Sequence, residues 1–410
     1  MYDGSKRTKR QHHEKKMPKW QNWSGLIEAR PSSYRQVYSA QEAAGLAKRA
    51  AQTGQIIRAV GSGHSHQDLV GNDGTIVDLI GLAGVGEIDT AEKTAWIFAG
   101  SKIHTLGAAL CTAGLALANQ GDIDQQTLAG ATATGTHGTG LKLRNLSSQV
   151  VGVELATSEG EVIECSADSS DPFLHKLWRA SRLHLGAFGI VTKIKMQLVE
   201  SYKLAETGWQ ATLDETLEQF EKLCLEHRHC EFFWFPQTDK AQVKCIDETQ
   251  AEPSYPLAEE GSRVGWNYEV LPNHRPVKHS EMEYSVPFER AIDCMKDIQA
   301  LLDKDFRQIK WPVEFRGQGA DDVALSPACG KDVVTISVHQ GAEEEDEPYF
   351  RACEEIFLSY DGKPHWGKVN YLNGEQMESL HEGWGSWWEV RNAIDPSKTF
   401  LNYYLRSLSD

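Results

Sequence analysis

Between Leu128 and Gly140 the chain reads LAGATATGTHGTG, with four glycines and four threonines in thirteen residues. A run this poor in bulk cannot pack as a core strand. It can lie close to a ligand and offer N–H and O–H donors. Two more glycine turns stand far from it in sequence. One is Arg58 to His66, RAVGSGHSH, at the end of a strand-like QIIRAV; the other is Leu185 to Thr192, LGAFGIVT. Glycines after a strand let successive N–H groups turn toward one point and form an anion-binding nest. The order is not G-x-G-x-x-G and no helix follows directly, which excludes a Rossmann dinucleotide unit. A single G-x-G turn also reads as an ordinary tight loop. Three such turns in one domain point to a long, phosphate-bearing ligand held mainly by backbone.

A chain of 410 residues exceeds one ordinary core, which predicts two domains. In residues 17–200, AQEAAGLAKRAAQTG reads as a helix ended at Gly54, and TIVDLI and TAWIFAG read as strands. VVGVELATSEGEVIECS reads as a hairpin and FGIVTKIKMQLVE as a further strand. The texture changes near Glu200. Over 201–360, long helical patterns such as LDETLEQFEKLCLEH alternate with strand-like CEFFWFP, QVKCID, WPVEFRGQ and DVVTISVHQ. Both parts are α+β in pattern. The polar stretch DETQAEPSYPLAEEGSR, residues 247–263, reads as an exposed loop. Residues 1–16 form a basic, polar stretch expected to be a flexible tail without the apolar segment of a signal peptide.

The net charge of −16 argues against nucleic acid as a partner, because phosphates need a basic face. No window reaches the roughly 18 apolar residues of a membrane span. The eight cysteines are scattered without a C-x-x-C pair, so a thiolate zinc site is not expected and a reducing cytoplasm is the simple reading. No metal is expected at His12-His13 or at His227, His229 and Cys230. Glu314 and Arg316 sit at i and i+2 of a strand-like VEFR, so their side chains share one face, where they can grip hydroxyl groups. His339 ends the strand-like TISVH on one face. The aromatic cluster WGSWW from Trp384 to Trp388, with Tyr403 and Tyr404, reads as core.

Taken together, several motifs carry a resemblance over most of the chain: WQNWSG from Trp20, GSGHS from Gly61, NQGD from Asn119 and ATGTHGTG from Ala133. EFR from Glu314, HWGK from His365, Asp395-Pro396 and FLNYYL from Phe400 complete the set. The chain resembles the vanillyl-alcohol oxidase (p-cresol methylhydroxylase, PCMH) superfamily of FAD-binding proteins. Within it, the likeness is to the sugar-acid branch of aldonolactone oxidoreductases and alditol oxidases. The resemblance implies a two-domain α+β flavoprotein. A PCMH-type FAD-binding domain would take residues 17–200, an α+β substrate cap residues 201–360, and a C-terminal segment, 361–410, would return to the FAD domain.

The resemblance also implies roles. His64 would bond to the flavin 8α carbon or, as the alternative, only touch the ring. Gly61, Ser62, Gly63 and Ser65 would hold the pyrophosphate. Thr134, Gly135, Thr136, His137, Gly138 and Gly140 would pass along the FAD, and Gly189 and Ile190 would meet its adenine side. Gly121 would leave room for molecular oxygen beside the flavin, which favours an oxidase, and Asp122 would reach substrate hydroxyls. Glu314, Arg316, His339 and Lys368 would surround a polyhydroxy substrate. Lys368 is the first choice for the proton, with Arg316 as the cation beside it. His365 and Trp366 would pack against the flavin region. The expected reaction is hydride removal from an aldonolactone or alditol, with oxygen reduced to hydrogen peroxide. The alternatives are a dehydrogenase using a quinone or cytochrome, and a flavin-binding partner protein without turnover.

Overall fold

Alanines recur along the helix Ala40–Gln52 so that Ala43, Ala44, Ala47 and Ala50 form one thin buried face. Small side chains on that face let the helix lie close against the strands Val150–Ala156 and Ile190–Gln197. The Ser39 hydroxyl caps its start by accepting from the Glu42 N–H, and Gly54 follows its end at φ +65°. The computed structural model describes residues 18–409; the expected basic tail, with His12 and His13, lies outside them.

The first core holds two small sheets. One runs Val162–Ser166, Val150–Ala156, Ile190–Gln197, Thr94–Phe98, Val85–Asp89, antiparallel throughout. The other is parallel, with Thr75–Asp78 between Ser33–Gln36 and Ile57–Val60. From Trp366 the chain rejoins this core, where Trp384, Trp387, Trp388, Phe400 and Leu405 are buried. Tyr403 departs from the aromatic reading: it is exposed, and its hydroxyl donates to Asp73.

The second unit is built on an eight-stranded antiparallel sheet with one apolar and one charged face. Its order is Val264–Trp266, Lys203–Thr212, Lys240–Thr249, His229–Phe235, Val313–Gln318, Val333–Gly341, His279–Pro287, Lys363–Pro364. Lys363–Pro364 therefore still belongs to this sheet, paired with Ser285 and Tyr284. Alternation sends Phe232, Trp234, Val243, Met282, Tyr284, Phe315 and Ile336 to the helices Leu213–Glu226, Ala291–Asp305 and Glu347–Ser359. The same period sends Glu231, Lys244, Glu281, Glu283, Glu314, Arg316, Ser337 and His339 to the other face. Among the described residues, no helix is long and apolar enough to cross a membrane.

One buried side chain clasps three distant parts of the first core. Arg58 donates to the carbonyls of Leu69, Leu185, Gly186 and Phe400. Arg58→Met keeps the length and strips four acceptors of their donor. The variant is expected to lose at least about 3 kcal/mol of stability, since a buried acceptor left unpaired bears its full desolvation cost. A urea titration checks this; a midpoint equal to wild type would show the clasp to be dispensable.

Candidate functional site

Two cavities meet at His64, which lines both. The larger, about 850 Å³, lies between the charged sheet face and the loops of the first unit. The narrower, about 90 Å³, runs under the glycine turns. Gly61, Ser62, Gly63, His64 and Ser65 from the first turn line this slot, with Thr134 from the second and Gly186 and Gly189 from the third. Gly63 takes φ +67°, where side chains are strained. A Cβ at Gly61 would overlap the Thr127 hydroxyl, so only glycine lets the loop lie on that helix start. Among the described residues, no protein group accepts from the backbone N–H groups of Ser62, Gly63, His64 and Ser65. Four free donors along a narrow slot fit a pyrophosphate.

The remaining cofactor candidates fall in two places. Gly121, Thr136 and His137 line the larger cavity, as does Asp122, which is expected at the substrate hydroxyls. Gly135, Gly138, Gly140 and Ile190 line neither. Gly135 lies against Leu183, and Gly138 backs onto Asn119 and Gln120. The Gly140 N–H donates to the Gly317 carbonyl at 2.7 Å, and its own carbonyl accepts from Gly319 at 3.1 Å, tying the glycine run to the second unit. Ile190 is fully buried in the first core.

The structure brings Glu314, Arg316, His339 and Lys368 to one wall of the larger cavity. Arg316 stands 3.2 Å from Glu314 and 2.7 Å from Glu283. Glu283 also accepts from Ser337 at 2.7 Å and meets His137 Nε2 at 2.9 Å. Lys368 donates to Glu281, a carboxylate that the sequence reading did not place beside it. The Nε2 atoms of His66, His279 and His339 lie 3.7–3.8 Å from the same Glu281 carboxylate. His339 Nδ1 is 2.9 Å from the Pro312 carbonyl, which orients its Nε2 toward the cavity. Three His and Glu sets here have metal-ligand spacing, but side-chain cations already engage their carboxylates.

Burial and charge divide these groups. Burial raises Glu314 to about 8, and Arg316 only partly offsets it. Burial is the largest single effect at Glu281 and Glu283 too, but Lys368 with His279, His339 and His66 together outweigh it at the first, and His137 with Arg316 and His365 at the second; both stay well below the ordinary carboxylate range. Burial, then Lys368, holds His64 down near 4, so its ring carries a free lone pair at neutral pH. At the outer end Asp122, raised by burial, meets Asn273 and Arg275, and Arg275 also pairs with Glu260.

Several residues here escaped the sequence reading. Glu281 and Glu283 follow the alternation that singled out Glu314 and Arg316, in HSEMEYSVP, and that pattern is the signal that finds them. Of the stretch 247–263 expected to be an exposed loop, residues 247–249 complete a strand, Glu260 lines the cavity and Arg263 is buried on Glu206. Trp366 turns into the first core, donating to the Leu325 carbonyl, while His365 lines the cavity.

Comparison with known proteins extends the picture. The D-arabinono-1,4-lactone oxidase family matches residues 194–262 and 254–408, and an FAD binding domain matches residues 31–166. The chain is 34% identical to L-gulono-1,4-lactone dehydrogenase of Mycobacterium tuberculosis, over 95% of this chain and 98% of that one. It is 27% identical to L-gulonolactone oxidase of Bos taurus, over 97% and 99%. Against alditol oxidase of a Streptomyces species it is 26% identical, over 95% and 98%. Its fold matches a solvent-stable cholesterol oxidase with a TM-score of 0.84 at 18% identity, over 96% and 98%.

The raised Glu314 has a consequence for stability. The folded protein keeps a proton up to about pH 8, whereas the unfolded chain releases it near the ordinary 4.5. Stability from this group is full below 4.5 and is lost as pH rises through 8. Glu314→Gln cannot titrate. Urea midpoints of wild type should therefore decline more steeply than those of the variant between about pH 5 and about pH 9. Parallel curves would mean that Glu314 is ionised throughout.

Proposed function

The chain belongs to the D-arabinono-1,4-lactone oxidase family and is an FAD-dependent oxidoreductase of CH–OH donors; from that premise we propose that it oxidises an aldonolactone or alditol with oxygen as acceptor. The observation carrying this reading is the meeting of Glu314, Arg316, His339 and Lys368 on one cavity that opens at His64 into the donor-lined slot. When bound, the flavin supplies the hydride acceptor. The slot's free N–H groups hold the pyrophosphate, and the larger cavity takes the ring and the substrate.

In this reading Arg316 and Lys368 hold the substrate oxygen as it gains charge. Glu314, neutral below about pH 8, donates to a neighbouring hydroxyl. Lys368 is the residue proposed to take the hydroxyl proton, passing one of its own ammonium protons to the Glu281 carboxylate that it already contacts. His339 presents an unprotonated Nε2 beside it, because burial holds the ring down near 4. His64, unprotonated and lining both cavities, would stand beside the flavin ring and is the residue that would hold it covalently. Gly121 adds no side chain to the cavity wall, which supports access for oxygen. A dehydrogenase is the second reading, favoured by the likeness to L-gulono-1,4-lactone dehydrogenase. The free thiols suit a reducing cytoplasm.

Purified protein should release hydrogen peroxide in air with a lactone or polyol and no added acceptor. Lys368→Met should stay yellow and turn over about a hundredfold to a thousandfold more slowly. Turnover that waits for a quinone, without peroxide, rules out the oxidase. Acid precipitation tests the link: colour should stay in the wild-type pellet and leave the His64→Ala pellet. Colour in both supernatants means that the flavin is not covalently held.

A further inference from the structure

Glu283 is a buried carboxylate, its side chain 1% exposed, that no motif singled out. Its two oxygens reach different parts of the molecule. Oε1 meets His137 on the glycine run, 146 residues away; Oε2 accepts from Arg316 and Ser337 on the sheet. His137 Nδ1 faces the Gly138 carbonyl at 2.9 Å while Nε2 faces Glu283. Both ring nitrogens thus have a partner. One carboxylate therefore lies between a histidine ring of the first unit and a guanidinium of the second.

We propose that Glu283 is a positioning residue that couples His137 to Arg316, so that one side chain sets the register between the two walls of the reacting cavity. Arg316 has two carboxylate neighbours, and the nearer is Glu283, at 2.7 Å against 3.2 Å for Glu314. Glu283 thereby fixes the direction of the guanidinium through Nη2, the nitrogen that also faces Glu314, and leaves Nη1 to the substrate. Its bond to His137 holds that arrangement against the wall formed by the glycine run. Ser337 contributes a neutral bond to the same oxygen and touches neither partner's charge. The proposal rests on the reading that the substrate lies against Arg316.

The test uses the FAD-loaded enzyme. Glu283→Gln keeps the shape and removes the charge. Its kcat should fall about a hundredfold, the scale of a small misplacement of reacting groups, with KM within about threefold. The absorption bands of the oxidised flavin should shift as His137 loses its partner. Ser337→Ala should stay within about threefold of wild type on both constants. The decisive measurement is a cycle of His137→Gln and Arg316→Lys: their effects on kcat should be non-additive in the native background and additive in the Glu283→Gln background. Should Glu283→Gln not fold, the cycle in the native background decides, and additivity there overturns the coupling. A slow Arg316→Lys with a normal Glu283→Gln overturns the coupling alone. A normal rate in Arg316→Lys overturns it together with the placement of the substrate.

Discussion

The structure depends on a sheet face that buries charge and must neutralise it locally. Isolated ions are costly there, so each carboxylate needs a cation or several donors. Lys244 answers Glu231, Arg263 answers Glu206, Arg275 answers Glu260, Lys368 answers Glu281, and Arg316 with His137 answers Glu283. Glu314 must share Arg316 with a nearer competitor. That shortage, in a buried place, is why this acid alone on its wall keeps its proton to about 8. The opposite face is apolar and covered by three helices, so the alternation of strand residues separates a stabilising side from a reactive one.

Local chemistry was readable from residue order, and long-range partnership was not. The glycine turns announced themselves because glycine permits tight backbone geometry, which at Ser62 to Ser65 leaves N–H groups free. Glu314 and Arg316 could be placed on one face by counting in twos. The strand from His279 to Pro287 obeys the same count, but nothing nearby in sequence marks Glu281 and Glu283 as special. Their meaning comes from Lys368, 87 residues on, and His137, 146 residues back. Polar composition read residues 250–262 rightly as a mostly exposed loop, but gave no sign that 247–249 finish a strand or that Glu260 pairs with Lys244 and Arg275. Gly138 and Gly140 belong to the run that reads as ligand-facing, but a Cβ at Gly138 would strike the Gln120 carbonyl and the Asn119 side chain, and one at Gly140, where φ is +116°, the Arg228 carbonyl.

The walls of the slot are gathered from places distant in the chain, and the segment that braces one of them arrives late. The Ile57 N–H donates to the Thr399 carbonyl, and the Arg58 clasp closes on Phe400, 342 residues downstream. A ribosome adding about 5–20 residues each second needs roughly 17–70 s to travel that distance. Through the last part of that interval the nascent chain has its three glycine turns but not the segment that braces the first. Tight capture of the cofactor is thereby deferred until translation is nearly over, and a polypeptide stalled before Thr399 leaves the ribosome without a finished seat for it.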